Sequence, residues 1–293
     1  MITGLTRTLM LVAAMLAGVL LPQLHPAARL IPWLIVAMLF LVFLQTRLSR
    51  EAVQRSHGLL LLANVIIGFA ALSLGWLIGG RDVGLAAFFA GITPTATAAA
   101  VIVSFLRGRV DYVIASFVIT NLSIAALMPL VLPWVIGHDA GGGFLPILGT
   151  VALVIFVPAL SAFMVRRIHP AATVWPEKLR GASFGMWVVA LLLICSNASH
   201  FVRTQVDAPI RVLAQIALTT LAVCAINFAV GFAVGGPQFR REASQSLGQK
   251  NTTFTIYLAL TYASPLIALG PTFYVIWHNL WNSWQLHRAG KVR

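Results

Sequence analysis

Apolar residues run along the chain in blocks of roughly twenty, the length a helix needs to cross a hydrocarbon core about 30 Å thick. Ten such blocks are present, near 8–24, 29–46, 58–79, 83–106, 111–136, 144–166, 181–202, 211–236, 243–262 and 264–285. The pattern predicts an all-α integral membrane protein of ten transmembrane helices forming one membrane domain over 1–293. The apolar part of the first block is short, Arg7 precedes it and Ala27-Ala28 follow, so a signal peptide is the competing reading. The charge distribution favours a retained helix.

Composition agrees with the pattern. Hydrophobic residues make up 59% of the 293, charged residues only 9%, and the mean hydropathy is +0.92. A soluble chain carries about 25% charge, so there are too few charges here to cover a surface in water. The net charge of +13 raises nucleic-acid binding as a function, but the basic residues sit in short gaps between apolar blocks and read as topology determinants instead. With ten helices, one side of the membrane holds fifteen of them (Arg7, Arg47, Arg50, Arg55, Arg107, Arg109, Arg166, Arg167, Lys178, Arg180, Arg240, Arg241, Arg288, Lys291 and Arg293). The other side holds four: Arg29, Arg81, Arg203 and Arg211. That asymmetry places both termini in the cytoplasm. Length and short loops point to a bacterial inner membrane. The seven carboxylates (Glu51, Asp82, Asp111, Asp139, Glu177, Asp207 and Glu242) fall in loops or at helix ends, leaving no acidic relay at membrane depth. Cys195 and Cys224 lie inside apolar runs, which implies neither a disulfide framework nor a metal cluster, and no cofactor is expected.

Two blocks are interrupted. In the fourth, Gly91-Ile92-Thr93-Pro94-Thr95-Ala96-Thr97 puts a proline and small polar residues at mid-depth. In the ninth, the run from Ser244 to Thr253 is polar where apolar residues are expected. Pro94 removes a backbone donor, and lipid offers no partner for the freed carbonyls. Such backbone survives only when buried in protein or lining a cavity. The two interruptions lie about 152 residues apart, and the second and seventh and the fifth and tenth blocks are similarly offset. Five helices followed by five put the second set upside down, giving inverted repeats over approximately 1–138 and 140–293. Secondary transporters with this pattern bind solute between paired discontinuous helices.

Lys250, the twentieth basic residue, falls inside the ninth block. Read functionally, it is a fixed cation at the helix break that attracts an anionic solute or acts as a titratable switch; read structurally, it snorkels to an interface. Thr93, Thr95 and Thr97 either line a cavity or bond back to their own helix. Asn121 and Ser123 are interhelical glue or site residues. His278 and Asn279, beside Trp277, are packing groups or ligand contacts, and a lone histidine makes no metal site. Gly181-Ala182-Ser183-Phe184-Gly185 has the spacing of a nucleophile elbow, but it opens a membrane helix and no triad partners accompany it. Trp33, Trp76, Trp134, Trp277, Trp281 and Trp284, near span ends or along the last helix, suggest interfacial anchors.

At these residues the chain resembles the bile acid:sodium symporter family. Pro94 through Leu106-Arg107-Gly108, followed by a Ser/Thr/Asn-bearing fifth helix reaching Pro129, is similar to that family's first crossover helix and its successor. Ser246-Leu247-Gly248-Gln249-Lys250-Asn251 stands where the family has Glu-x-Gly-x-Gln-Asn, and Trp277-His278-Asn279 resembles a motif of its last helix. The resemblance covers nearly the whole chain. It implies a core domain of spans 3–5 and 8–10 with crossing discontinuous helices 4 and 9, a panel domain of spans 1, 2, 6 and 7, and organic anions carried with sodium. The departures are specific. Ser246 replaces the signature Glu and Lys250 the following Gln, while Ala99-Ala100, Val113 and Phe117 stand where sodium ligands are expected. A hard cation needs converging oxygens, and a lysine would repel it. The expected function is therefore secondary transport of a small organic anion or amphipathic solute by alternating access, sodium-independent with Lys250 replacing the ion, as a uniporter, exchanger or proton-linked carrier. The expected site is Lys250, Asn251, Gln249, Ser246, Thr93, Pro94, Thr95, Thr97, Asn121, Ser123, His278 and Asn279. The alternatives are a non-transporting membrane sensor or scaffold, a channel, and a membrane enzyme, which the missing triad disfavours.

Overall fold

A computed structural model describes residues 4–45, 50–137, 144–204 and 210–291. Arg47, Asp139, Asp207 and Arg293, counted above, lie outside them. Every regular element among the described residues is helical. In chain order they are α1 (Gly4–Leu20), α2 (Ile31–Gln45), α3 (Arg55–Gly79), α4 (Arg81–Ile92), α5 (Ala98–Phe105), α6 (Val110–Ile136), α7 (Phe144–Val151) and α8 (Val157–Ile168). The short α9 (Trp175–Lys178) precedes α10 (Arg180–Thr204), α11 (Ile210–Val234), α12 (Gly236–Gly248), α13 (Thr252–Tyr262) and α14 (Pro265–Lys291).

Among the described residues, six stretches are long and apolar enough to cross a membrane: Pro22–Leu44, Arg55–Gly79, Val110–Ile136, Phe144–Ile168, Gly181–Phe201 and Ile210–Val234. The protein is an integral membrane protein. Its outer faces carry bare large hydrophobics, Leu77 at 85% and Trp134 at 80% exposure among them, surfaces that suit lipid rather than water. Helix ends follow local chemistry. The first helix stops at Leu20 rather than near 24, because Pro22 and Pro26 break the α-helical ladder and the chain continues as a 3-10 segment, Pro22–Leu30. Pro158 cannot donate to the turn before it. There the helix slips into a π-turn over Ala152–Phe156, in which the Val157 amide bonds the Ala152 carbonyl, before α8 resumes.

The interior closes through small residues. Gly75 and Gly84, and Gly68 and Gly91, sit face to face between α3 and α4, so that a Cβ on Gly75 would lie 2.8 Å from the Gly84 Cα. Gly270 of α14 lies against the Ala86 backbone of α4 just as closely. The largest apolar cluster joins α2, α4, α6, α10 and α13 through Ile35, Phe88, Phe117, Ile194 and Phe254.

The helices recur along the chain. α4 and α12 start 155 positions apart, at Arg81 and Gly236. α6 and α14 start at Val110 and Pro265, again 155 apart. The spacing read from the sequence was about 152. The polar run Gly236–Gly248 forms two helical pieces joined at a kink, where Phe239 leaves helical geometry (φ −129°, ψ 25°); Glu242 is buried in the first turn of the second piece, at a helix end.

Candidate functional site

The two interruptions meet. α4 ends at Ile92, and Thr93 turns to an extended conformation (ψ 132°), as the residue before a proline is driven to do. α12 ends at Gly248, and Gln249 leaves it extended at ψ 106°. Between the breaks Thr95 and Lys250 form an isolated antiparallel bridge. The Ala96 amide donates to the Gln249 carbonyl at 2.8 Å, and the Asn251 amide donates to the Pro94 carbonyl at 2.8 Å. Each broken helix thus supplies the partners that the other lacks. This satisfies non-helical backbone inside an apolar fold.

Side chains tie the crossing further. The Thr95 hydroxyl donates to the Ser246 carbonyl at 2.6 Å, and the Thr95 amide donates to the Thr120 hydroxyl at 3.1 Å. Thr93 bonds back to the Phe89 carbonyl and meets the Thr255 hydroxyl at 2.7 Å. Asn251 donates to the Asn121 side-chain oxygen at 2.9 Å, and Asn121 donates to the Thr95 carbonyl at 2.8 Å. Gln249 accepts a hydrogen bond from Asn282 of α14.

Lys250 is 2% exposed and points back along α4. Its ammonium donates to the Gly91 carbonyl at 3.1 Å and to the Asn64 side-chain oxygen, while the Asn64 amide donates to the Ile92 carbonyl at 2.8 Å. The charge therefore sits on the C-terminal end of α4, where the helix dipole is negative. At the matching end of α12, the Tyr274 hydroxyl donates to the Gly248 carbonyl at 2.9 Å. The two helices that leave the crossing are treated differently. α5 begins after Thr97 and α13 after Asn251, and neither residue caps its helix with a side-chain hydrogen bond. Both negative helix ends at the crossing are covered, and both positive ends lack a side-chain cap.

Of the residues expected from sequence, Lys250, Asn251, Gln249, Ser246, Thr93, Pro94, Thr95 and Asn121 come together here. Thr97 stands at the start of α5, half-buried. Ser123 lies half-buried beyond Asn121 on α6. Asn279 bonds back to the Val275 carbonyl of its own helix at 2.7 Å, and His278 is buried with its ring edge-on to Tyr274. The sequence reading missed Asn64, Thr120, Thr255, Tyr274 and Asn282. A lone asparagine in the apolar third block was the available signal for Asn64. Gly181–Gly185 lies at the start of the continuous helix α10, with no strand before it. Among the described residues no cluster of metal-ligating side chains occurs. Ala99, Val113 and Phe117 are packed in apolar interior. The buried Glu242 accepts from the Arg109 amide at 2.8 Å, away from the crossing. The groups at the crossing are backbone carbonyls, hydroxyls, side-chain amides and one lysine amine, with no carboxylate among them.

No protein-family model matches the chain, and no curated protein matches it in sequence.

Proposed function

We propose that this protein is a secondary transporter of a small organic anion or amphipathic solute, built like the bile acid:sodium symporters and independent of sodium. The observation that carries the reading is the asymmetry at the crossing. The C-terminal carbonyls of α4 and α12 accept hydrogen bonds from Lys250 and Tyr274, while the N-terminal ends of α5 and α13 have no side-chain cap, an arrangement that favours an anion. Lys250 takes the place of a coupling cation, and its positive charge is held within the site by Asn64 and Gly91. In this reading α1, α2, α3, α4–α5, α6, α7–α8, α10, α11, α12–α13 and α14 are ten spans, arranged as inverted repeats of five. The 155-residue recurrence and the crossed breaks support that topology. Alternating access then follows from a core of spans 3–5 and 8–10 rocking against a panel of spans 1, 2, 6 and 7. The excess of Arg and Lys on one side of these spans supports cytoplasmic termini, and the short loops support a bacterial inner membrane.

The test is thermal stability of the purified protein against a panel of organic anions, with and without sodium, in wild type and Lys250→Met. A ligand that binds the folded state raises its melting temperature. Anion stabilisation that ignores sodium and disappears in Lys250→Met is expected. Stabilisation by sodium alone, retained in Lys250→Met, overturns the reading and makes the protein an ordinary sodium symporter. Anion binding with no flux into proteoliposomes would identify a sensor.

A further inference from the structure

The interior between α11, α12 and α14 is chemically unlike the rest of the fold. On the α3, α4 and α6 side, the buried polar side chains Asn64, Ser116, Thr120 and Asn121 all have partners within the protein. On the α11, α12 and α14 side, four buried atoms have none: Asn227 Oδ1, Gln245 Oε1, Ser246 Oγ and His278 Nδ1. Among the described residues these are the only such atoms. Each buried acceptor left unpaired costs about 1–3 kcal/mol, and native proteins resolve such sites with buried water making two to four hydrogen bonds.

The unpaired atoms follow a polar stripe. Tyr274, His278, Asn282 and Gln285 are spaced four, four and three residues apart on α14, which puts them on one helix face. Gln285, half-buried, lies towards the end of the fold that carries Arg240, Arg241 and Arg288. Its side-chain oxygen accepts from the Gln245 amide at 2.6 Å, and the same amide reaches the Asn282 oxygen at 3.2 Å. One turn on is His278, and after it Tyr274, whose hydroxyl accepts from Asn227 at 3.2 Å. Cys224 and Tyr274 pack in one cluster with Ile67 of α3 and Ala90 of α4, and Ala90 precedes the Gly91 whose carbonyl Lys250 bonds. The titratable groups along the seam are therefore His278, Tyr274, Cys224 and Lys250. Glu242, also on α12, is turned to the Arg109 amide.

We infer that this seam is a hydrated proton path from the basic end of the protein to Lys250, so that the coupling ion of the proposed carrier is a proton. Lys250 releases a proton by breaking one N–H bond and leaving the neutral amine. A water takes up that proton and passes it along hydrogen-bonded waters held by Asn227, His278 and Gln245 to bulk water at Gln285. Reprotonation runs the same bonds in reverse. The inference rests on the reading of Lys250 as the charge at the transport site.

Only three lysines occur in the chain, Lys178, Lys250 and Lys291, so the exchange of the Lys250 Nζ protons with water is measurable by NMR. The sample is full-length protein labelled with ¹⁵N-lysine, reconstituted in nanodiscs, with Lys178→Arg and Lys291→Arg assigning the signals. Gln245→Leu and His278→Phe are expected to slow this exchange by an order of magnitude or more, while the melting temperature of each variant verifies that it is folded. Unchanged exchange in both folded variants overturns the path without touching the role of Lys250. If anion binding survives in Lys250→Met, the reading of the site fails instead. A second measurement does not depend on variants. An experimental structure fine enough to show ordered water should place one within hydrogen-bonding distance of Asn227 Oδ1, Gln245 Oε1 and His278 Nδ1, and a dry seam there overturns the inference.

Discussion

The pairing of Lys250 with Asn64 makes the most exposed prediction. Asn64→Ala removes one of the two acceptors of a buried ammonium and also strips the Ile92 carbonyl of its side-chain donor. Taking one partner from a buried charge costs about 3–5 kcal/mol. Lys250→Met has a different balance. It leaves the Asn64 oxygen and the Gly91 carbonyl short of a donor, at about 1–3 kcal/mol each, but it also removes the desolvation penalty of the charge. We therefore expect Asn64→Ala to destabilise by about 3 kcal/mol and Lys250→Met by about 1 kcal/mol. The double variant should be more stable than Asn64→Ala alone, with a coupling energy of about 2 kcal/mol, because without the ammonium there is no unpaired charge to bury. The assay is equilibrium unfolding of the four proteins in mixed detergent micelles, monitored by tryptophan fluorescence. Additive effects, or a loss below about 1 kcal/mol in Asn64→Ala, would refute the argument that a charged amine is held on the end of α4.

Other expectations follow from single contacts. Gly270→Leu should destabilise by about 3 kcal/mol or more, since its side chain has to enter the Ala86 backbone; a melting temperature near wild type would mean that α4 and α14 are not packed so closely. Glu242→Leu leaves the Arg109 amide without its acceptor and should cost about 1–3 kcal/mol, with Glu242→Gln recovering part of it, as read by thermal melts. Asn121→Leu cuts both the Asn251 and Thr95 links, and should abolish anion-dependent stabilisation while Ser123→Ala leaves it intact; equal losses in the two would place the site elsewhere.

Much of this protein was legible in its sequence because lipid imposes a strict rule. Every backbone group in a bilayer must be paired internally, so long apolar blocks become helices, and a proline or polar run inside one marks a place where other protein must supply the partners. Pro94 and the Ser244–Thr253 run located the crossing on that ground alone. Helix ends were less legible where apolarity and helicity part. Gly236–Arg241 is too polar to resemble a membrane helix yet forms the start of α12, with a kink at Phe239.

What only the tertiary structure decided was where each polar group found its partner. The sequence marked Lys250 as out of place, but nothing local to it names Asn64, which lies 186 residues away, or says that the amine turns to the end of α4 rather than outward. Nor could it separate Asn121, which holds the crossing together, from Asn279, which bonds only its own helix. Hydropathy is a property of a segment and can be read in one dimension. A hydrogen bond or a buried charge depends on what a distant segment places within about 3 Å, and packing alone fixes that distance.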